Sequence, residues 1–135
     1  MTSLEKAHAQ AEHIFRELFP AYGLTVRPAQ IELCHEMLDA MFSDRIALCD
    51  AGVGIGKTHA YLVAGLLWQK HRPGGAPFTL TISTSSVALQ NAIVKEYIPF
   101  LSRLLVDDGI LDKPIRSIIR KGRERYACAL RLAMR

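Results

Sequence analysis

Eight consecutive residues constrain this chain more than any others: Ala51-Gly52-Val53-Gly54-Ile55-Gly56-Lys57-Thr58. The glycines let the backbone wrap tightly, so that successive N–H groups converge on one anion. Gly56 opens the way for a helix N-terminus, whose partial positive charge favours phosphate. Lys57 is placed to reach the β- and γ-phosphates of a nucleotide, and the Thr58 hydroxyl to ligate Mg²⁺. That chemistry works only if a strand enters the loop and a helix leaves it. The flanks agree: 45–50 is short and mostly apolar, suited to a buried strand, and a helix is expected from about 58 to 70.

The rest of the chain extends the alternation. Leu4, Ala7, Ala11, Ile14, Phe15 and Leu18 recur at helical spacing and predict an amphipathic helix over 3–19, ended by Pro20 and Gly23. A second helix starts at Pro28 and turns Ile31, Cys34, Leu38 and Met41 inward. The stretch 71–77 is a loop, and the β-branched alternation of 78–83 predicts a second strand. Ser85 or Ser86 caps a further helix running towards Tyr97, where Pro99 interrupts it. A third strand is expected over 114–119 and a closing helix from about Glu124. Strand–helix alternation predicts an α/β fold with a parallel sheet and helices on both faces, in one partial domain over 1–135.

Charge is uneven. The segment 113–135 holds eight basic residues and one acid, giving it +7 in a chain of +4 overall. Such a block suits nucleic-acid phosphates, and equally a solvated helix face or a surface meeting another chain. The three cysteines, Cys34, Cys49 and Cys128, form no CxxC pair, so no disulfide framework or zinc knuckle is implied. His35, His59 and His71 have no metal-ligand spacing among them, and all five histidines read as structural or exposed. Trp68 reads as core, or with Tyr61 and Phe78 as a stacking surface. No Ser/His/Asp or Cys/His triad is readable. No signal peptide or bilayer-length apolar run is present, which predicts a cytoplasmic protein without membrane contact.

Four segments together resemble superfamily 2 helicases of the DinG and XPD type. Arg27-Pro28-Ala29-Gln30 is similar to the Q-motif (27–30), in which the glutamine reads the adenine edge. Asp50 through Thr58 is similar to motif I. Ile82-Ser83-Thr84 with Leu89-Gln90 resembles motif Ia (82–90), which touches the nucleic-acid backbone in that family. Lys121-Gly122-Arg123-Glu124-Arg125-Tyr126-Ala127-Cys128 resembles the K-G-R-x-N-Y-x-C segment, whose cysteine is an iron–sulfur ligand in that family or its vestige.

The resemblance implies a partial RecA-like P-loop domain, with ATP and Mg²⁺ held by Gln30, the loop 51–58 and Thr58. It implies nucleic-acid contacts at Thr84 and Gln90, while the charge of the basic block makes Arg120, Lys121 and Arg123 candidate phosphate contacts to single-stranded DNA. Val53, Ile55 and Arg125 depart from the family pattern, though the glycines and Lys57 remain. A D-E-A-H-type motif II and a second lobe are absent from the sequence, and Cys128 lacks partners for an iron–sulfur cluster. The expectation is the N-terminal part of a DinG-like helicase that binds ATP without hydrolysis or unwinding, acting with a separate chain that carries the rest. Two alternatives stand beside it. One is a nucleic-acid- or partner-binding module with a vestigial nucleotide site. The other is a small stand-alone P-loop ATPase using Asp107 and Asp108.

Overall fold

Backbone hydrogen bonds decide which apolar runs become regular structure, and here helices claim them. The computed structural model describes residues 1–49, 56–74 and 79–120. The chain divides into two units, Met1–Ser83 and Thr84–Arg135.

In the first unit, α1 (Ser3–His13) begins at Thr2, whose hydroxyl accepts the Glu5 N–H at 3.2 Å. It runs through a π-helical turn, Ile14–Leu18, into the short α2 (Phe19–Ala21). The helix expected over 3–19 is thus present, but Pro20 lies within its last turn rather than ending it. The reason is the π turn: the Phe19 N–H donates back to the Ile14 carbonyl, five residues away. That wider spacing removes the carbonyl a proline ring would meet in a tighter α-helix. α3 (Pro28–Phe42) starts where expected and buries Ile31, Cys34 and Leu38, with Leu33 and Ala40 added and Met41 half-buried.

α4 (Lys57–His71) packs against both α1 and α3. It buries Leu62, Val63, Ala64 and Gly65 in succession, so it is enclosed around its girth rather than along one stripe. Ala7 and Ala11 of α1 are fully buried, and such small side chains let helices approach closely. A Cβ on Gly65 would sit 2.4 Å from the Leu80 side chain, so Leu80 lies directly on this helix.

In the second unit, Ser86 caps α5 (Val87–Ala92) by accepting the Leu89 N–H at 3.2 Å. A second π turn, Ile93–Tyr97, leads into α6 (Ile98–Asp107). Here too the expected break fails. Pro99 is accommodated in the first turn of α6, with the Ile98 N–H reaching back to Ile93. Leu101, Leu104 and Leu105 are buried, and the buried Ser102 hydroxyl accepts the Ile115 N–H at 2.9 Å.

The α/β expectation is overturned: among the described residues there is no strand and no parallel sheet, only helices joined by irregular chain. The RecA-like sheet read from the resemblance falls with it. Residues 45–49, expected as a buried strand, carry no regular structure, with Ile46 and Leu48 92% and 97% exposed. Residues 79–83 and 114–119 likewise carry no strand. β-branching and alternation prepare a segment for a ladder, but a strand exists only when a neighbour supplies N–H and C=O partners. Helices close their hydrogen bonds internally and need no such neighbour. Asp50, Phe78 and the helix expected from Glu124 lie outside the described residues. No helix among the described residues is long and apolar enough to cross a membrane.

Candidate functional site

The start of α4 is built by two residues far apart in the chain. Gly56 is the N-cap, in the left-handed region at φ +78°, and no side chain caps the helix there. A Cβ at this position would lie 2.1 Å from the Gln30 side-chain nitrogen. The left-handed dihedral favours glycine, and a side chain here would also have to push the Gln30 amide aside.

Gln30, on the first turn of α3, is only 3% exposed, and its Nε2 donates to the Gly56 carbonyl at 2.9 Å. The α3–α4 packing brings together the residue expected to read adenine and the last glycine of the expected phosphate-binding segment. Lys57 follows, exposed on the first turn of the helix, with Thr58 half-buried beside it. Ala51, Gly52, Val53, Gly54 and Ile55 lie outside the described residues.

Two further side chains belong to this corner. His59 sits half-buried one residue after Thr58, edge-on to Phe19 with ring centroids 5.0 Å apart. Burial lowers its pKa, and the nearby Arg27 cation adds to the effect, so the neutral imidazole is favoured. Arg27 itself is exposed, and its guanidinium is 3.8 Å from the Cβ position built at Gly56. Sequence reasoning places Arg27 only as part of a motif and gives His59 no role. Proximity of Arg27 to Gly56 has no signal in spacing alone.

The nucleic-acid candidates fall in the second unit. Thr84 directs its hydroxyl to the Ser86 N–H at 3.1 Å, forming the turn before α5. Gln90 donates to the Arg120 carbonyl at 3.4 Å, which ties α5 to the start of the basic segment. Arg120 is exposed, while Lys121, Arg123 and Cys128 lie outside the described residues. Asp107 and Asp108 are exposed at the C-terminal end of α6, a helix end rather than the strand end that a metal-holding acid pair of a P-loop motor needs.

Among the described residues, no group of three or more His, Cys, Asp or Glu is arranged to hold a metal. Cys34 is buried, which drives its thiol pKa far up, with the Glu12 charge adding to the effect; it is an inert core residue. Trp68 is half-buried with the Arg72 guanidinium 5.7 Å from its ring centre.

Sequence reasoning misses one cluster altogether. His8 and Glu12 on α1, and His35 and Asp39 on α3, are each four residues apart and so share a helix face. His8 Nε2 meets Asp39 at 2.7 Å, His35 Nε2 meets Glu12 at 2.8 Å, and the two Nδ1 atoms lie 2.5 Å apart. The i,i+4 spacing of each pair was the available signal.

Comparison with known proteins gives relatives of one kind. The chain is 31% identical over 125 residues to the 3'-5' exonuclease DinG of Bacillus subtilis, covering 93% of this chain and 12% of that protein. It is 37% identical over 90 residues to the ATP-dependent DNA helicase DinG of Photobacterium profundum, covering 62% of this chain and 11% of the relative. The 3'-5' exonuclease DinG of Staphylococcus aureus is 33% identical over 87 residues, or 62% of this chain and 9% of the relative. No family model matches the chain. No solved structure matches it either.

Proposed function

Because this chain belongs to the DinG-type family and spans about a tenth of the length of the relatives it matches, we propose that it is the ATP-binding N-terminal portion of a DinG-like DNA helicase. The observation that carries this reading is the start of α4. A left-handed glycine, no side-chain cap and an exposed lysine are the features of a helix start that receives phosphate. Lys57 would supply the cation at the nucleotide's β- and γ-phosphates, and the Thr58 hydroxyl would hold Mg²⁺, which would neutralise phosphate charge. Gln30, already at the Gly56 carbonyl, stands at the loop and would select adenine.

Binding without turnover is the expected behaviour. Hydrolysis needs a carboxylate to hold the metal and orient water, and a cationic finger worth about three to five orders of magnitude in rate. The rest of the motor, on this reading, supplies both. DNA contact is assigned to the second unit, through Thr84, Gln90, Arg120, Lys121 and Arg123, the helicase name of one relative pointing to DNA. These contacts engage phosphates with little sequence preference.

Calorimetry with a non-hydrolysable ATP analogue and Mg²⁺ should give weak binding that disappears in Lys57→Ala, with phosphate release at background. Robust release that is lost in the Lys57 variant would instead make the chain a stand-alone ATPase. Neutralising Arg120, Lys121 and Arg123 together should flatten the salt dependence of single-stranded DNA binding. Unchanged binding would leave the basic segment as a solvated or protein-docking face.

A further inference from the structure

α4 contains no acidic residue, and none occurs anywhere from 51 to 95. Its far end is basic, with Lys70, His71 and Arg72 in succession shortly after Trp68. α1 brings a further cation to the same place. The His71 ring Nε2 bonds the Gln10 side-chain oxygen at 2.6 Å, and Lys6 stands four residues before Gln10 on that face of α1. Burial first, then Lys70 and Lys6, lower the His71 pKa, so His71 is a neutral link between the helices. Lys6, Lys70 and Arg72 remain as full charges, the two lysines exposed.

Helix electrostatics explains only part of this. A cation in the last turn complements the partial negative charge of the carbonyl end, which accounts for Lys70. Lys6 is placed the other way. Its N–H donates to the Thr2 carbonyl at 3.0 Å, so it sits in the first turn of α1, where the dipole disfavours a cation. Arg72 lies just beyond α4, with its N–H on the Trp68 carbonyl at 2.8 Å and its guanidinium 5.7 Å from the centre of the Trp68 ring. Like charges gathered from two helices repel one another, and an anion bridging them lowers that repulsion. The half-buried indole adds a flat surface, which a bare phosphate does not use and a nucleic-acid base does.

We propose that Lys6, Lys70, Arg72 and Trp68 form a contact surface for single-stranded nucleic acid, with the cations on its phosphates and one base stacked on the Trp68–Arg72 pair. The surface lies wholly within the first unit and uses none of the residues assigned above to nucleotide or to DNA. It therefore works without ATP and does not depend on the basic segment of the second unit.

Trp68 is the one tryptophan of the chain, so its emission reports on this surface alone. The test is titration of the whole 135-residue chain, without nucleotide, by a short oligodeoxythymidylate. Trp68 emission reads the stacking, and anisotropy of a labelled oligonucleotide reads total binding over a series of salt concentrations. Binding should quench the emission. Dextran sulfate, a polyanion without bases, should leave it unquenched.

Combining Lys6→Gln, Lys70→Gln and Arg72→Gln should abolish the quenching. It should also lower the slope of log K against log salt by about 2, at about 0.7 per phosphate contact. Neutralising Arg120, Lys121 and Arg123 instead should leave the quenching in place, which separates this surface from the second-unit contacts. If the triple variant does not fold, Arg72→Lys decides: it keeps the charge, loses the flat guanidinium, and should reduce the quenching with the salt slope unchanged. No binding, binding with Trp68 emission unchanged, full quenching in the triple variant, or equal quenching by dextran sulfate overturns the proposal.

Discussion

The chain starts its helices in two ways. At α1 and α5 a hydroxyl folds back on the first turn, Thr2 to the Glu5 N–H and Ser86 to the Leu89 N–H, so the helix satisfies part of its own open end. At α4 the N-cap is Gly56, no side chain caps it, and the nearby amide of Gln30 donates to the glycine's carbonyl. A capped start is complete as it stands. The start of α4 differs from these in having a glycine in the left-handed region as its N-cap and an exposed lysine behind it.

Substitutions should separate the two kinds of start. Gly56→Ala is expected to have the largest effect, because the left-handed backbone costs about 1–2 kcal/mol for an L-residue, and the new Cβ also displaces Gln30. Melting temperature and nucleotide binding should fall together; a variant that kept both would show that the corner tolerates a side chain. Gln30→Ala comes next. It orphans a partly buried carbonyl at about 1–3 kcal/mol and should erode the preference for adenine over guanine nucleotides in competition calorimetry. Ser86→Ala should cost about 1 kcal/mol, read by chemical denaturation, with nucleotide binding unchanged. Loss of nucleotide binding in that variant would end the contrast between the starts.

The smallest effect is the acid-side pH dependence of the α4 histidines. Burial first, and neighbouring cations second, lower the pKa of both His59 and His71. Their neutral forms belong to the fold, so their contribution is full above the unfolded value of about 6.5. It is lost as pH falls from there towards the lowered folded values. His71→Gln should make the acid flank of a denaturation profile shallower, and an unchanged flank would remove His71 from the account.

Much of the helical frame is legible in the residues. The spacing of Leu4, Ala7, Ala11, Ile14 and Phe15, proline at the first turn of α3, and a serine ahead of α5 each act within a turn or two of chain. Local interactions of that range survive whatever the rest of the molecule does. Pro20 and Pro99 defeat the expectation of a break because a rule about one residue ignores the preceding turn, which widens to a π-helix and takes the proline in.

The strands fail for the opposite reason. The apolar run at 45–49 looks like a strand by composition, but strand formation is a property of two segments, and no described segment pairs with it.

The candidate site divides along the same line. The glycines, Lys57 and Thr58 read as phosphate-binding by type and order, because they are contiguous in the chain. The kinship with DinG-type proteins is also written in residue order alone. Only tertiary packing could set Gln30 against Gly56, bring Arg27 to the same corner, and close His8 on His35. Each of those contacts joins helices distant in sequence. Their geometry depends on how α1, α3 and α4 bury their apolar faces against one another, which no local pattern encodes.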